Sequence, residues 1–308
     1  MSKVANDIRE LIGGTPLLKI NNFSLPDEVK IYAKLEYFNP GGSIKDRAGL
    51  FMLEEAEKHG MLRPGATIIE PTAGNTGIGI ALAALNKGYK VIFVVPEKFS
   101  EEKQELMKAL GAEIIHTPTD RGMEGAIEKA RDLSREIPDS FIPNQFENPA
   151  NPLAHYKTTG PEIYEQLDGK VDYFVAGVGS GGTFTGAVRY LKEKNPKIKA
   201  VAVEPEGSIL GGGPKGSHKT EGIGVEFIPK TLDVNLIDEV ITVSDEDAFN
   251  MVKELARREG LLVGSSSGAA FYAAYRIAGR ITGPANIVTI FPDGSERYLS
   301  KKIYQGGI

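Results

Sequence analysis

The first segment whose residue types could support catalysis is Asn39–Arg47, which reads NPGGSIKDR. Its proline and two glycines predict a turn, and Ser43 is a candidate cap for a helix that follows. Lys45 then falls in the first helical turn, where the helix dipole disfavours a positive charge. A lysine amine placed there could form a Schiff base with an aldehyde cofactor. A solvated surface lysine followed by an Asp–Arg pair is the alternative, and the segment taken alone favours it.

A second segment, Glu70–Gly77, reads EPTAGNTG and follows an apolar run. Backbone N–H groups converge on an anion where a strand passes directly into a helix. Thr72, Asn75 and Thr76 add side-chain donors, so a substrate carboxylate would fit this loop. An ordinary strand-to-helix turn, with Asn and Thr as caps, explains the same residues equally well.

The segment Gly177–Thr183, GVGSGGT, also joins an apolar run to a helical pattern. Its glycines let the backbone approach a phosphate closely, and Ser180 and Thr183 add hydroxyl groups. Three of the glycines also satisfy the dinucleotide pattern GxGxxG, and Glu204 ends the next strand, close to where a ribose-binding acid would lie. A nicotinamide dinucleotide site is therefore a competing interpretation, although it gives the two other segments no role. A phosphate site is predicted in both cases.

A fourth segment, Leu262–Ala270, places three consecutive serines between glycines after an apolar run. The pattern predicts a strand-to-helix turn in which one hydroxyl caps the helix. Another hydroxyl could then face a cleft. Taken alone, the segment favours capping and turn formation by all three serines.

The elements that must position these segments follow from the apolar pattern. Short runs rich in Val and Ile alternate with helical patterns, which favours βα units around parallel sheets. Ser100 and Ser244 precede acidic residues and are predicted N-caps. The Pro- and Asn-rich segment Asn144–Pro152 is a predicted crossing between two α/β layers. The predicted strands are Thr67–Glu70, Lys90–Val95, Glu113–His116, Tyr173–Ala176, Ala200–Glu204 and Ile287–Phe291. Helices are predicted from about Ser43, Thr76, Ser100, Gly122, Thr183, Asp245 and Ser267.

Composition excludes several classes of function. The chain has 308 residues, 41% of them apolar, and a net charge of −5, so bulk electrostatics gives no support for a nucleic-acid partner. It contains no cysteine, which excludes disulfides, a cysteine nucleophile and a cysteine metal site, and no metal site is predicted. The N-terminus lacks a secretory pattern, and no apolar run reaches the roughly 20 residues of a membrane span. We therefore expect a cytoplasmic protein.

In this order, the four segments resemble the cysteine synthase and cystathionine β-synthase family of pyridoxal-phosphate enzymes. Four further stretches carry the same similarity: Asn148–Pro152, Thr158–Glu162, Glu221–Gly224 and Gly294–Tyr298. The resemblance implies pyridoxal 5'-phosphate as cofactor and fold type II, with two three-layer α/β domains like those of the tryptophan synthase β subunit and a cofactor cleft between them. It assigns residues 42–147 to a smaller, mobile domain, and 1–41 with 148–308 to a larger domain that anchors the cofactor. It also implies a homodimer.

The resemblance carries over roles residue by residue. Lys45 would bind the cofactor covalently and act as the catalytic base, Asn75 would contact the ring hydroxyl, and Ser266 would bond the pyridine nitrogen. The residues expected to bind the cofactor phosphate are Gly179, Ser180, Gly181, Gly182 and Thr183. The residues expected to receive the substrate carboxylate are Thr72, Gly74, Asn75, Thr76 and Gln145. The implied reaction eliminates a β-substituent from an activated L-serine and adds a thiol or sulfide in its place.

Departures from the commoner pattern bear on the nucleophile. Ala73 stands where cysteine synthases usually have serine, which removes a hydroxyl beside the incoming nucleophile. The stretches Glu204–Leu210 and Thr220–Phe227 are similar to the bacterial O-acetylserine-dependent cystathionine β-synthases, whose nucleophile is homocysteine. Glu221, where cysteine synthases usually have Gln, is a candidate partner for the homocysteine ammonium. A surface glutamate in a mobile loop is the alternative.

Other activities stay open at this point. Cysteine synthase activity with sulfide is the nearest alternative, and the two activities can coexist. Threonine synthase or a serine/threonine dehydratase would share the cofactor but differ in the carboxylate loop, and a regulatory binding protein would not need Lys45 and Asn75. Some family members bind the tail of a serine acetyltransferase; Ala73 weighs against that partner here.

Overall fold

A computed structural model describes residues 4–72, 74–97 and 99–305. The strands are β1 (Leu17–Lys19), β2 (Val29–Leu35), β3 (Thr67–Pro71), β4 (Lys90–Pro96), β5 (Glu113–Thr117), β6 (Ser140–Phe141), β7 (Tyr173–Gly177), β8 (Lys199–Pro205), β9 (Glu239–Val243) and β10 (Ala285–Phe291). The helices are α1 (Lys45–Lys58), α2 (Asn75–Ala84), α3 (Glu101–Ala109), α4 (Gly122–Glu136), α5 (Ala150–Lys157), α6 (Thr159–Gln166), α7 (Gly182–Lys194), α8 (Asp245–Glu259) and α9 (Ser265–Ala278). Within the described ranges, no helix is long and apolar enough to cross a membrane.

The chain divides into two compact units. The first unit comprises Met1–Ile12 and Lys45–Asn151, and the second comprises Gly13–Ile44 and Pro152–Ile308. This division differs from the predicted boundaries at the N-terminus, where residues up to Ile12 group with the first unit. Arg9 provides a physical reason, because its Nη1 donates to the backbone oxygens of Ala83 and Leu85 at 3.2 and 2.8 Å. The mobile and anchoring roles of the two domains remain predictions.

The first unit is built on a parallel sheet of order β5-β4-β3-β6. Successive residues of β3 face opposite sides, as the period of a strand requires. Ile68 packs in a cluster with Met52 of α1 and Ile78 of α2, whereas Ile69 packs with Ala130 of α4. Both faces of the sheet are therefore covered by helices, which gives three layers.

The second unit contains the sheet β1-β2-β10-β7-β8-β9, in which β1 runs antiparallel to β2 and the other pairs are parallel. Strand β7 again divides its residues between two faces. Val175 packs in a cluster with Phe271 of α9, and Phe174 packs with Phe184 of α7. The predicted α/β class, with three layers in each unit, is confirmed.

The predicted elements agree with the structure at most positions. All six predicted strands are present, and the side chains of Ser100 and Ser244 accept hydrogen bonds from backbone N–H groups of α3 and α8, at 3.4 and 3.1 Å. Strands β1, β2, β6 and β9 and helices α5 and α6 were not predicted. Helix α1 begins at Lys45 rather than near Ser43, which instead forms an isolated antiparallel bridge with Asp293.

Helices α1 and α2 meet through their backbones at two glycines. A Cβ atom on Gly49 would lie 2.6 Å from the backbone oxygen of Gly79, and a Cβ on Gly79 would lie 2.5 Å from that of Lys45. Both distances are too short for any side chain, so only glycine permits this approach. The contact fixes the first residue of α1 against α2.

Replacing Gly79 with Ala is expected to lower the free energy of unfolding by about 1–3 kcal/mol, because the added methyl group would overlap the backbone oxygen of Lys45. Chemical denaturation followed by circular dichroism measures the change. Gly279→Ala is the matched control. A Cβ atom at Gly279 would lie 3.7 Å from the backbone oxygen of Arg276, which is an ordinary van der Waals distance. Wild-type stability of the Gly79→Ala protein would contradict the close packing of α1 and α2.

Candidate active site

The loop between β3 and α2 contains most of the residues predicted to receive a carboxylate. Thr72 is buried, and its Oγ1 accepts a hydrogen bond from the backbone N–H of Gly74 at 3.3 Å. Gly74 is the N-cap of α2 and has no side chain with which to cap it. The first-turn N–H groups of α2 are therefore suited to an external anion. The predicted site residue Ala73 lies outside the described residues.

Gln145, distant in sequence, lies against this loop. The hydroxyl of Thr76 donates a hydrogen bond to Gln145 Oε1 at 2.7 Å. Since Oε1 is the acceptor, the Nε2 amide is the end of Gln145 that can donate to a carboxylate. Two of the predicted carboxylate-binding residues are thus brought together, and Asn75 occupies the first position of α2 beside them.

Glu70 is buried next to Gln145. The sequence predicted no role for this glutamate. Its two carboxylate oxygens accept hydrogen bonds from the backbone N–H groups of Asn144 and Gln145, at 2.9 and 3.3 Å. Burial raises the pKa of Glu70 to about 7, and the two backbone hydrogen bonds oppose this shift. Glu70 therefore links the end of β3 to the turn that contains Gln145.

The glycine-rich segment after β7 forms a tight cradle at the start of α7. Gly181 is the N-cap of α7 and has a left-handed backbone (φ +83°) that favours glycine. A Cβ on Gly179 would lie 2.5 Å from the backbone oxygen of Gly222, so no larger residue fits there. Ser180 is buried, and its backbone oxygen accepts a hydrogen bond from the Thr231 hydroxyl. The cradle presents the N-terminus of α7, which favours an anion.

His155 supports the last residue of this cradle. Its ring lies between two hydroxyls, with Nδ1 2.9 Å from Thr159 Oγ1 and Nε2 3.2 Å from Thr183 Oγ1. His155 is fully buried, and both of its ring nitrogens lie within hydrogen-bond distance of a hydroxyl, which fixes the orientation of the ring. No periodicity marks this histidine in the sequence; only its place between the Asn148–Pro152 and Thr158–Glu162 stretches could have drawn attention to it.

Ser266 and the Glu221–Gly224 segment adjoin the cradle within the second unit. Ser266 is the second residue of α9 and is buried; a Cβ on Gly222 would lie 4.0 Å from its Oγ. The neighbouring Ser265 accepts a hydrogen bond from the backbone N–H of Glu221 at 3.0 Å. The cradle, this segment and Ser266 are thus neighbours within the second unit, and the roles expected of them remain predictions.

Glu221 lies in the wall of a cavity of about 460 Å³ in the second unit, which both charged and apolar side chains line. Its carboxylate forms an ion pair with Lys301, and its side chain is 28% exposed. The cavity is also lined by His218, Lys219 and Tyr298. Glu221 is therefore a partly buried, paired acid rather than a freely solvated surface residue.

Two observations indicate that these residues can bind a phosphorylated cofactor. The cradle at 179–183 leaves no room for a Cβ atom at Gly179 or Gly181 and ends at a helix N-terminus, which matches a phosphate group. Lys45 supplies a primary amine at the first position of α1. Lys45, Asn75, Thr72, Thr76 and Gln145 belong to the first unit, and the cradle, Ser266 and Glu221 belong to the second. Three-layer α/β units whose parallel strands end in anion-binding loops define an enzyme class that uses a phosphorylated cofactor.

Comparison with known proteins specifies that class. The model of the pyridoxal-phosphate dependent enzyme family matches residues 8–293. The chain is 59% identical over 305 residues to the O-acetylserine dependent cystathionine beta-synthase of Bacillus subtilis, with 99% of each chain covered. It is 54% identical over 303 residues to a cysteine synthase of Helicobacter pylori, covering 98% of this chain and 99% of the relative. The crystal structure of the O-acetylserine dependent cystathionine beta-synthase from Helicobacter pylori is 53% identical and has a TM-score of 0.93, covering 98% of this chain and 100% of that one.

The chain belongs to the family of pyridoxal-phosphate dependent enzymes. It has fold type II, and its cofactor is pyridoxal 5'-phosphate. The family and cofactor predicted from the four sequence segments are confirmed. The competing dinucleotide interpretation of Gly177–Thr183 was wrong, because the same family match covers that segment.

The buried carboxyl of Glu70 is expected to make stability depend on pH. Its pKa of about 7 lies above the ordinary value of 4.5, so the folded protein binds this proton more tightly than the unfolded chain does. The stability that protonation provides is therefore lost as pH rises from about 4.5 to about 7, a loss of about 3 kcal/mol. Denaturation curves of the wild type and of Glu70→Gln across this range measure the difference, which should vary with pH. Parallel profiles of the two proteins would contradict the assignment.

Proposed function

We propose that the chain replaces the β-substituent of O-acetyl-L-serine, or of L-serine, with homocysteine to give L-cystathionine. The observation that carries this proposal is Glu221, an acid in the wall of a cavity next to Ser265. Homocysteine has an ammonium group that such a carboxylate can bind, whereas sulfide has none. The name of the relative from Bacillus subtilis supports the same activity.

Synthesis of L-cysteine from sulfide is the second candidate. Its support is the 54% identical cysteine synthase of Helicobacter pylori, whose sequence aligns over 98% of this chain. Both reactions use the same amino-acid substrate and differ only in the nucleophile. The residues that bind the cofactor and the substrate carboxylate therefore serve either activity.

Two sets of residues are proposed to hold the cofactor and the substrate. The proposed cofactor-binding residues are Lys45, Asn75, Gly179, Ser180, Gly181, Gly182, Thr183 and Ser266. The proposed substrate-binding residues are Thr72, Ala73, Gly74, Asn75, Thr76, Gln145 and Glu221. When bound, the cofactor supplies an electron sink that makes the α-proton and the β-substituent of an amino acid labile.

Lys45 is proposed to move the proton at the α-carbon. Its Nζ amine, once released from the cofactor, can take the α-proton as a general base. After the sulfur nucleophile has added to the β-carbon, the same Nζ returns the proton to the α-carbon. The backbone contact of α1 with Gly79 keeps the first turn of this helix in place while the amine acts.

Ser266 is proposed to bond the ring nitrogen through its hydroxyl. A hydroxyl is a much weaker base than a carboxylate, so Ser266 holds a proton at this nitrogen only weakly. Such a contact favours loss of a β-substituent over reactions that require a long-lived carbanion. The buried position of Ser266 in the first turn of α9 fixes the direction of this hydrogen bond.

The homodimer, the cytoplasmic location and the domain movement implied by the family are proposed together with this function. All three accompany an enzyme that acts on small metabolites and must exclude water during elimination. A complex with a serine acetyltransferase tail is not included in the proposal, since Ala73 replaces a hydroxyl-bearing residue in the loop.

The proposal predicts turnover of O-acetyl-L-serine with homocysteine at an efficiency comparable to, or better than, that with sulfide. Steady-state kinetics with each nucleophile, with cystathionine and cysteine identified by mass spectrometry, measures this. Lys45→Ala is expected to abolish both reactions and the visible absorption band of the cofactor. Turnover with sulfide alone would contradict the homocysteine assignment and establish the second candidate.

Replacing Glu221 with Gln is expected to raise KM for homocysteine about tenfold, because the neutral amide cannot pair with its ammonium group. The rate with sulfide should change by less than about twofold. Glu226→Gln is the matched control, since Glu226 forms an exposed ion pair with Lys215 at 2.7 Å in the same part of the chain. An equal loss of both activities in Glu221→Gln would refute a role in nucleophile selection.

A further inference from the structure

Glu70 ends a parallel strand and is buried, yet its carboxylate makes contacts that reach far along the chain. Oε2 accepts from the N–H of Asn144 at 2.9 Å and Oε1 from the N–H of Gln145 at 3.3 Å. The relative exposure of Glu70 is 1%. A carboxylate buried to this degree is costly unless its oxygens are bonded, so its placement requires a compensating function.

The turn that Glu70 binds has a conformation that needs support. Asn144 has a left-handed backbone with φ +52°, which is uncommon outside glycine. The next residue, Gln145, is held at its backbone oxygen by the side-chain amide of Asn151 at 2.8 Å. Its own side chain accepts from the hydroxyl of Thr76 at 2.7 Å. Bonds to Glu70, Asn151 and Thr76 thus determine where the Gln145 amide points.

We propose that Glu70 is a positioning residue for recognition of the substrate carboxylate, acting through the Asn144–Gln145 turn. This inference rests on the proposed function, in which the β3–α2 loop and Gln145 receive that carboxylate. Glu70 precedes the loop by two residues and binds the turn directly, so one side chain sets the spacing between the two parts of the carboxylate site. Both carboxyl oxygens are required as acceptors, because each accepts one N–H of the turn.

A neutral amide cannot perform the same task. In Glu70→Gln one of the two oxygens becomes an NH₂ group, which faces a backbone N–H and can only repel it. One N–H of the turn is then left without its acceptor in a buried place, which is unfavourable. Gln145 is expected to move relative to Thr76, and the carboxylate site loses its geometry.

Glu204 provides a matched control within the chain. It also precedes a proline at the end of a parallel strand, is 1% exposed, and accepts from two successive backbone N–H groups, those of Leu210 and Gly211, at 2.8 and 2.9 Å. Its carboxylate binds a different loop, in the second unit. Glu204→Gln therefore removes an equivalent buried clamp without touching the Asn144–Gln145 turn.

The experiment compares wild type, Glu70→Gln, Glu70→Asp and Glu204→Gln as cofactor-loaded enzymes. Glu70→Gln should raise KM for O-acetyl-L-serine about tenfold or more, while kcat and KM for the sulfur nucleophile change by less than about threefold. Glu70→Asp keeps the charge with a shorter side chain and should give a smaller rise in KM for O-acetyl-L-serine.

Hydrogen exchange measured by mass spectrometry should show faster exchange at Asn144 and Gln145 in Glu70→Gln, with or without cofactor. Glu204→Gln should leave KM for O-acetyl-L-serine and exchange in the turn as in wild type.

Several outcomes would overturn the proposal. Unchanged KM for O-acetyl-L-serine in Glu70→Gln, or an equal rise in Glu204→Gln, assigns Glu70 a purely structural role. Should Glu70→Gln not fold, the same comparison is decided by Glu70→Asp. Should wild type turn over neither O-acetyl-L-serine nor L-serine, the proposed function is wrong, and titration of L-serine followed by cofactor absorbance still tests Glu70. Weaker L-serine binding in Glu70→Gln then supports carboxylate positioning, and unchanged binding refutes it.

Discussion

The site depends on helix N-termini whose N-caps are glycine. Helices α2, α7 and α9 have Gly74, Gly181 and Gly264 as N-caps, and a glycine cannot satisfy first-turn N–H groups with a side chain. Helices α3 and α8, outside the site, are capped by the side chains of Ser100 and Ser244. A serine cap stabilises a helix by about 1 kcal/mol, and glycine forgoes a few tenths of this. At α2 and α7 this leaves N–H groups and the positive end of the helix dipole available to an anion.

Backbone N–H groups of loops explain why two glutamates are buried. Glu70 and Glu204 both end parallel strands, and each places its carboxylate against two successive backbone N–H groups of a distant loop. A carboxylate is an acceptor only, so it can bind two donors where an amide side chain could bind one. The cost of burial appears at Glu70 as a pKa raised to about 7. In each unit a buried glutamate thus holds a loop in place. Next to it lies a helix N-terminus that is suited to binding an anion from a ligand.

Much of the fold was predictable from local pattern, whereas long-range partners were not. The β4 sequence KVIFVVP is apolar without interruption, which identifies a strand buried on both faces. Strand β2 was missed because Lys34 breaks its apolar pattern. Lys34 can be buried because its ammonium group pairs with Glu162 at 2.7 Å and donates to the backbone oxygen of Thr15 and to Gln166 Oε1, at 2.7 and 2.9 Å. The site motifs were recognised in the sequence, but the contacts of His155 and Glu70 join residues many positions apart and leave no local signal.

In the proposed function, Glu221 must exchange its ion pair with Lys301 for one with the ammonium group of homocysteine. Glu221 and Lys301 retain 28% and 49% of their side-chain exposure, and pairs in such surroundings contribute about 0–1 kcal/mol. Replacing Lys301 by a substrate ammonium at Glu221 therefore sacrifices little stability. Once released from Glu221, Lys301 becomes a cation next to homocysteine, which also has a carboxylate. A fully buried pair would resist this exchange, since separating it would leave charges without partners in a low-dielectric interior. Under the proposal, the partial exposure of Glu221 and Lys301 is thus what would let this structural contact bind a charged nucleophile, whereas sulfide would need neither charge.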